Sequence, residues 1–271
     1  MKIAALQMVS GPDVQRNLAQ ARLLMQQAAA LGAELVALPE YFCAMGPGDA
    51  AKLALREDFG HGPIQDFLAQ AARELRLWVA GGTLPLAAAD DSHVLNSSLL
   101  FSPQGECVAR YDKIHLFHFD NGRERYEEAA SVQAGRRPVV CDVQARSGET
   151  WRLGLSVCYD LRFPELYRAL SALGADVLLV PSAFTHTTGQ AHWETLLRAR
   201  AVENLAYVLA PGQGGVHENG RRTWGHSMLI DPWGEVQALQ ASGPGIALGE
   251  LSHERLRQLR QQLPALNHRV L

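Results

Sequence analysis

The feature that most constrains this chain is an alternation of short apolar runs with helical stretches, kept up from residue 1 to about residue 250. No linker, repeat or shift in composition interrupts it. Residues 2–8 and 35–38 are strand-like, and the Ala-, Leu- and Gln-rich stretch 13–31 between them is a helix stopped by Gly32. Pro63 opens a second helix running to Leu75, and the apolar run 77–83 follows it as a buried strand. Residues 94–101 and 106–111, separated by Ser102-Pro103-Gln104-Gly105, form a β-hairpin. Further strands are expected at 151–157, 177–180, 206–210 and 227–230, with helices at 164–173 and 190–204. The turn Asp231-Pro232-Trp233-Gly234 then leads into residues 235–239. Interleaving of this kind predicts one α/β domain over residues 1–250, with mixed sheets covered on more than one face. Residues 251–271 are expected to be a terminal helix and tail of the same domain or of a dimer interface.

Composition narrows the function classes. Of 271 residues 47% are hydrophobic, enough to bury a core, and 25 basic against 28 acidic side chains leave a net charge of −3. That balance offers no footprint for a polyanion, so nucleic acid is not an expected partner. The apolar runs fall short of the ~20 residues that a membrane helix needs, so no membrane partner is expected either. The opening MKIAALQMVSGP lacks a small-residue cleavage site and reads as a first strand rather than a signal peptide. The four cysteines, Cys43, Cys107, Cys141 and Cys158, contain no CxxC pair. A zinc site or a disulfide framework is therefore not expected, and a reducing cytoplasm is.

Three residues at three strand ends could carry chemistry. Cys158 ends an apolar strand and is followed at once by Tyr159, Asp160 and Arg162, with Pro164 opening a helix. The carboxyl ends of α/β strands are where such sheets place their sites, and nearby cations or a backbone amide could lower the thiol into the nucleophilic range. A buried structural cysteine is the competing reading. Cys43, Cys107 and Cys141 lack comparable polar company and are expected in the core. Glu40 follows the run 35–38 and Pro39, beside Tyr41 and Phe42, where desolvation would push a carboxyl upward and suit it to general-base work; a solvated loop glutamate is the alternative. Lys113, in YDKIHLFHF, is a lone ammonium among aromatic and apolar residues that could stabilise an oxyanion or simply snorkel.

Other constellations have less behind them. Among the ten histidines, His115, His118, His186, His192, His217 or His226 could serve as base to a cysteine. HExxH, GxSxG and GxxxxGK[ST] are all missing. His115 and His118 are three apart, which on a strand sends them to opposite faces and disfavours a metal pair.

Glu40 in LPEYF, Lys113 in YDKIHLF and Cys158 in VCYDLRFPELYR, in that order, resemble the catalytic set of the nitrilase superfamily of carbon-nitrogen hydrolases, and the likeness extends over residues 1–250. The resemblance implies a four-layer α-β-β-α sandwich, a homodimer formed through the cysteine-side layer, and neither a metal nor an organic cofactor. It also implies a second glutamate after the lysine strand. Counting back from Gly135 in YEEAASVQAG places it at Glu128, with Glu127 one residue off register.

Pro181 to Gly215 and Trp224 to Val236 are similar to the Nit branch, which contains the deaminated glutathione amidases and the omega-amidases acting on 2-oxoglutaramate. The PSAFT start and the APGQGGVH segment resemble the former. By residue-by-residue likeness, Arg162, Phe184 and Thr188 match positions holding the 2-oxo acid end of an amide substrate. Tyr41 and His115 match pocket positions, and the N–H of Tyr159 joins Lys113 in an oxyanion site. An N-carbamoyl amino acid hydrolase would use the same three catalytic residues. A metabolite-binding scaffold on a hydrolase fold would require one of them to be lost.

Overall fold

The first strand, β1 (Lys2–Gln7), is buried at five of its six positions, so it needs cover on both faces. Its alternate residues divide accordingly. Ile3 and Ala5 enter one apolar core while Ala4 and Leu6 enter another. The computed structural model describes residues 1–46, 48–122 and 124–270.

β1 belongs to a seven-stranded sheet with β2 (Leu35–Ala37), β3 (Trp78–Ala80), β4 (Leu84–Ala87), β5 (Val94–Phe101), β6 (Cys107–Asp112) and β15 (Gly245–Glu250). The order is β15-β1-β2-β3-β5-β4, with β6 also paired to β5. β1, β2 and β3 run parallel, and β15 closes against β1 antiparallel, with Lys2 opposite Glu250. Helices α1 (Val14–Ala30) and α3 (Pro63–Leu75) cover the outer face: Leu18, Ala21, Met25, Leu68 and Ala72 share a core with Ala4, Leu6, Val36 and Val79. Asp13 caps α1 by accepting from the Arg16 N–H at 3.1 Å. Buried Glu57 does the same for α3, accepting from the N–H groups of Ile64 at 2.6 Å and Gln65 at 3.2 Å.

The second sheet is six-stranded, in the order β14-β13-β12-β11-β10-β9. Those strands are β9 (Val139–Gln144), β10 (Thr150–Leu155), β11 (Val177–Leu179), β12 (Tyr207–Ala210), β13 (Ser227–Ile230) and β14 (Val236–Gln240). Helices α4 (Pro164–Ala172) and α5 (His186–Asn204) cover it with Leu166, Tyr167, Leu170, Trp193 and Leu197. The sheets meet face to face, Leu229 of β13 lying on Gly249 of β15, and the layers run helix, sheet, sheet, helix. Two small elements stand near the site: α2 (Asp49–Ala54) and the ribbon of β7 (His118–Asp120) with β8 (Arg125–Glu127). The last helix, α6 (His253–Gln262), buries Leu256 and Leu259, and its Arg260 donates to Asp176 at 2.8 Å. No helix among the described residues is long and apolar enough to cross a membrane.

The sandwich matches the expected fold class, with local differences. Within the apolar run 77–83 only Trp78–Ala80 is strand, because Gly81 and Gly82 end it, and a further strand, β4, follows at Leu84 along the next stretch of the same edge of β5. β9 and β15 were not anticipated; β15 carries two glycines in six residues, which hides its strand character. α5 starts at His186 rather than residue 190, because Thr185 supplies its cap. The core expectation for the cysteines holds fully for Cys43 alone among the three: Cys141 is half-buried against the core, and Cys107 is exposed at the first position of β6.

Gly82 packs tightly beneath the chain as it leaves β2. Its φ is +55°, and a Cβ there would stand 2.1 Å from the carbonyl oxygen of Pro39. Gly82→Ala should therefore lower the urea midpoint by more than Gly60→Ala, which shares a positive φ but meets nothing within 4 Å and should lose only about 1 kcal/mol. Equal losses would show that the Pro39 contact yields freely.

Candidate active site

Glu40, Lys113, Glu128 and Cys158 line a single cavity of about 340 Å³. Glu40 follows Pro39 at the carboxyl end of β2, Lys113 directly follows β6, Glu128 opens a 3-10 turn (Glu128–Ala130) after β8, and Cys158 opens another (Cys158–Arg162) after β10. The Lys113 and Glu40 side chains are each 2% exposed, so their charges depend on one another. The Lys113 ammonium donates to Glu40 Oε1 at 2.9 Å and to Glu128 Oε2 at 2.7 Å.

Two carboxylates against one ammonium leave a buried negative charge, which neutral donors solvate. The Ala183 N–H donates to Glu40 Oε2 at 2.9 Å, and the Phe117 N–H to Glu128 Oε2 at 2.7 Å. Tyr41 OH donates to Glu128 Oε1 at 2.8 Å, and the Asn96 amide reaches Glu40 Oε1 at 3.0 Å and Glu128 Oε1 at 3.1 Å. Of the two adjacent glutamates it is Glu128 that faces Lys113. Glu127 turns outward to His118 at 2.6 Å.

Burial works against the charge on Lys113, but Glu128 and Glu40 outweigh it and hold the ammonium above the ordinary lysine range. Burial likewise opposes the charge on Glu128, yet Lys113 and the donors around it bring its carboxyl down to about 2. The Cys158 thiol is pushed well up, first by burial and then by the neighbouring Glu40 carboxylate, with Lys113 pulling the other way. A thiol with lowered acidity constant was the expectation from the sequence. The structure instead favours a protonated Cys158 beside Glu40, so that a nucleophilic role there would depend on passing the proton to that carboxylate.

The backbone is strained at two of these positions. Cys158 has φ +48° and Tyr41 φ +56°, the left-handed region that side chains disfavour by roughly 1–2 kcal/mol. Each is held there by its surroundings. The Cys158 N–H donates to Pro181 O at 3.0 Å, and the Tyr41 N–H to Thr83 Oγ1 at 2.9 Å. Fully buried Asp160 fixes the 3-10 turn, accepting from the Val157 N–H at 2.8 Å, Tyr111 OH at 2.7 Å and the His115 N–H at 3.0 Å. On the lysine side, Gly135 donates to Lys113 O at 2.8 Å, and a Cβ on it would stand 2.0 Å from Asp112 O.

Of the remaining residues singled out from the sequence, Tyr41, Tyr159, Phe184 and Thr188 line the cavity. His115 does not: its Nδ1 lies 2.7 Å from Asp160 and its ring stacks on Phe163, so it steadies the turn that presents Cys158. Arg162 also stands outside the lining, 5.4 Å from the ring centre of Phe184 and 5.8 Å from that of Tyr159, with His192 3.3 Å from Nη1. Sequence reasoning missed Asn96, Arg125 and Arg221 in the lining. The signal for Asn96 was an amide inside the otherwise apolar opening of β5; the two arginines sit in segments with no local motif.

This geometry has close counterparts. The carbon-nitrogen hydrolase family model matches residues 2–261. The chain belongs to the carbon-nitrogen hydrolase family. A deaminated glutathione amidase of Synechocystis sp. is 44% identical, covering 98% of this chain and 97% of its own, and that of Homo sapiens is 41% identical over 98% and 81%. Among solved structures, Saccharomyces cerevisiae Nit3, a nitrilase-superfamily protein, superposes with a TM-score of 0.86 at 28% identity, covering 97% of this chain and 94% of that one.

Glu128 gives the hydrolase a specific acid sensitivity. Its carboxyl in the fold lies below the 4.5 of an unfolded glutamate, so its ionised form stabilises the fold above that pH, and the contribution fades as pH falls from about 4.5 to about 2. Glu128→Gln should flatten the decline of unfolding free energy across that interval, followed by urea titration at stepped pH. An unchanged slope would assign the acid sensitivity elsewhere.

Proposed function

We propose that this carbon-nitrogen hydrolase is a deaminated glutathione amidase, cleaving its substrate to 2-oxoglutarate and cysteinylglycine through a thioester on Cys158. The observation that carries the reading is a cysteine thiol facing the same cavity as a buried carboxylate that accepts from a lysine. Relatives of that name at 44% and 41% identity, covering 98% of this chain, support the substrate.

In the proposed reaction Glu40 takes the thiol proton as Sγ attacks the amide carbonyl, and the carbonyl electron pair moves onto oxygen. Lys113 Nζ and the N–H of Tyr159, in the first turn of its 3-10 segment, receive that oxyanion. The intermediate collapses, the C–N bond breaks, and the departing amine takes its proton from Glu40. Water then attacks the thioester with Glu40 accepting its proton, and the thiol leaves reprotonated. Glu128 keeps Lys113 in place, while Phe184 and Thr188 line the acyl side. Arg162, which forms no ion pair among the described residues, swings from His192 past Phe184 to hold the 2-oxo acid carboxylate. These steps call for no metal or organic cofactor.

A homodimer in the cytoplasm completes the proposal. Leu173, Val202 and Trp233 are 45%, 46% and 50% exposed on the side of the sandwich that carries Cys158, an apolar set suited to a second copy.

The test is release of 2-oxoglutarate from deaminated glutathione and from 2-oxoglutaramate, side by side. The expected result is a higher kcat/KM on deaminated glutathione and a fall of at least about a thousandfold in Cys158→Ala. Preference for 2-oxoglutaramate would make the chain an omega-amidase, and full activity of Cys158→Ala would overturn the thioester.

A further inference from the structure

Arg221 lies in the segment between β12 and β13 and lines the catalytic cavity. Its Nη2 donates to Ala183 O at 2.9 Å, and its guanidinium stands over the Tyr126 ring at 5.0 Å from the centre. Its Nε is buried without any hydrogen-bond partner. Among the described residues no carboxylate lies within ion-pair reach of Arg221, nor of Arg125 on the same cavity lining, whereas Arg152, Arg200 and Arg260 all have one. A buried charged donor without an acceptor is a destabilising arrangement, and a bound anion would complete it.

Where Arg221 stands decides which part of a substrate it meets. Ala183 is held at both ends of its backbone: its N–H donates to Glu40 Oε2, and its carbonyl accepts from Arg221. Arg221 is therefore on the flank of Glu40, the group that hands a proton to the departing nitrogen. The acyl half of the substrate is assigned above to Phe184 and Arg162, which leaves Arg221 for the other half. We propose that Arg221 is the specificity-determining residue for the leaving group, pairing with the terminal carboxylate of the released dipeptide. This rests on the activity proposed above and deepens it. The enzyme takes amides that carry a carboxylate on both sides of the scissile bond, and the guanidinium fork reads the second one.

The experiment compares deaminated glutathione with its analogue bearing a C-terminal glycinamide, using wild type, Arg221→Met and Arg221→Lys. Since Arg221 also steadies Ala183, a general loss of rate is expected in both variants. The ratio of kcat/KM between acid and amide cancels that loss. Wild type should prefer the acid by about ten- to a hundredfold, Arg221→Met should bring the ratio close to one, and Arg221→Lys should keep part of it. An acid preference unchanged in Arg221→Met, or missing in wild type, overturns the assignment while leaving the amidase activity standing. No wild-type hydrolysis of either compound, with 2-oxoglutaramate still cleaved, overturns the proposed activity itself and the assignment with it.

Discussion

One ammonium between two carboxylates in a nearly dry cavity is the interaction around which the rest of the site is arranged. Lys113, Glu40 and Glu128 come from loops after three different strands, and none could stay ionised at that depth alone. Their mutual dependence explains the ring of N–H, hydroxyl and amide donors, some sharing an oxygen with Lys113 and the others filling the oxygens it does not reach. It also explains the thiol. A cysteine beside this net negative cluster is kept protonated, and its reactivity is tied to the carboxylate that would receive its proton.

Holding such charges in register places demands on the backbone. The left-handed turns at Tyr41 and Cys158 flank the cluster, and Gly82 and Gly135 press against the carbonyls of Pro39 and Asp112, each directly before an ionised residue. The strained and close-packed positions are thus immediate chain neighbours of Glu40, Lys113 and Cys158. Of the five non-glycine residues in the left-handed region among the described residues, Tyr41 and Cys158 stand at the candidate site, where strain borne by the sheets on either side would serve preorganisation.

Much of this could be read in advance, and the boundary between what could and could not is physical. Glu40, Lys113 and Cys158 stand at strand ends, where an apolar run stops at a polar group, and that contrast survives in a linear string. Glu128 could be counted only through likeness to relatives, because the ribbon that carries it has no apolar periodicity of its own. Asn96 and Arg221 reach the cavity from positions 56 and 181 residues beyond Glu40 (96 − 40 and 221 − 40), and nothing local marks them. The thiol at Cys158 is raised rather than lowered because burial, and then Glu40, outweigh Lys113, and neither depth nor spacing to Glu40 is visible in the string. β15 is hidden in the sequence because its glycines serve close contacts, Gly249 with Leu229 and Gly245 with Gln240, rather than strand propensity.

The pairing of β1 with β15 has a consequence for biosynthesis. Lys2 finds its partner in Glu250, and Met1 and Leu251 exchange hydrogen bonds just beyond. The strand at residues 2–7 must wait for residues 245–250 before its outer edge is satisfied. While the ribosome is still working, that edge is an open template for any passing strand. The hydrolase therefore closes this sheet only once residues 245–250 are in place, and until then the edge of β1 needs shielding from other strands.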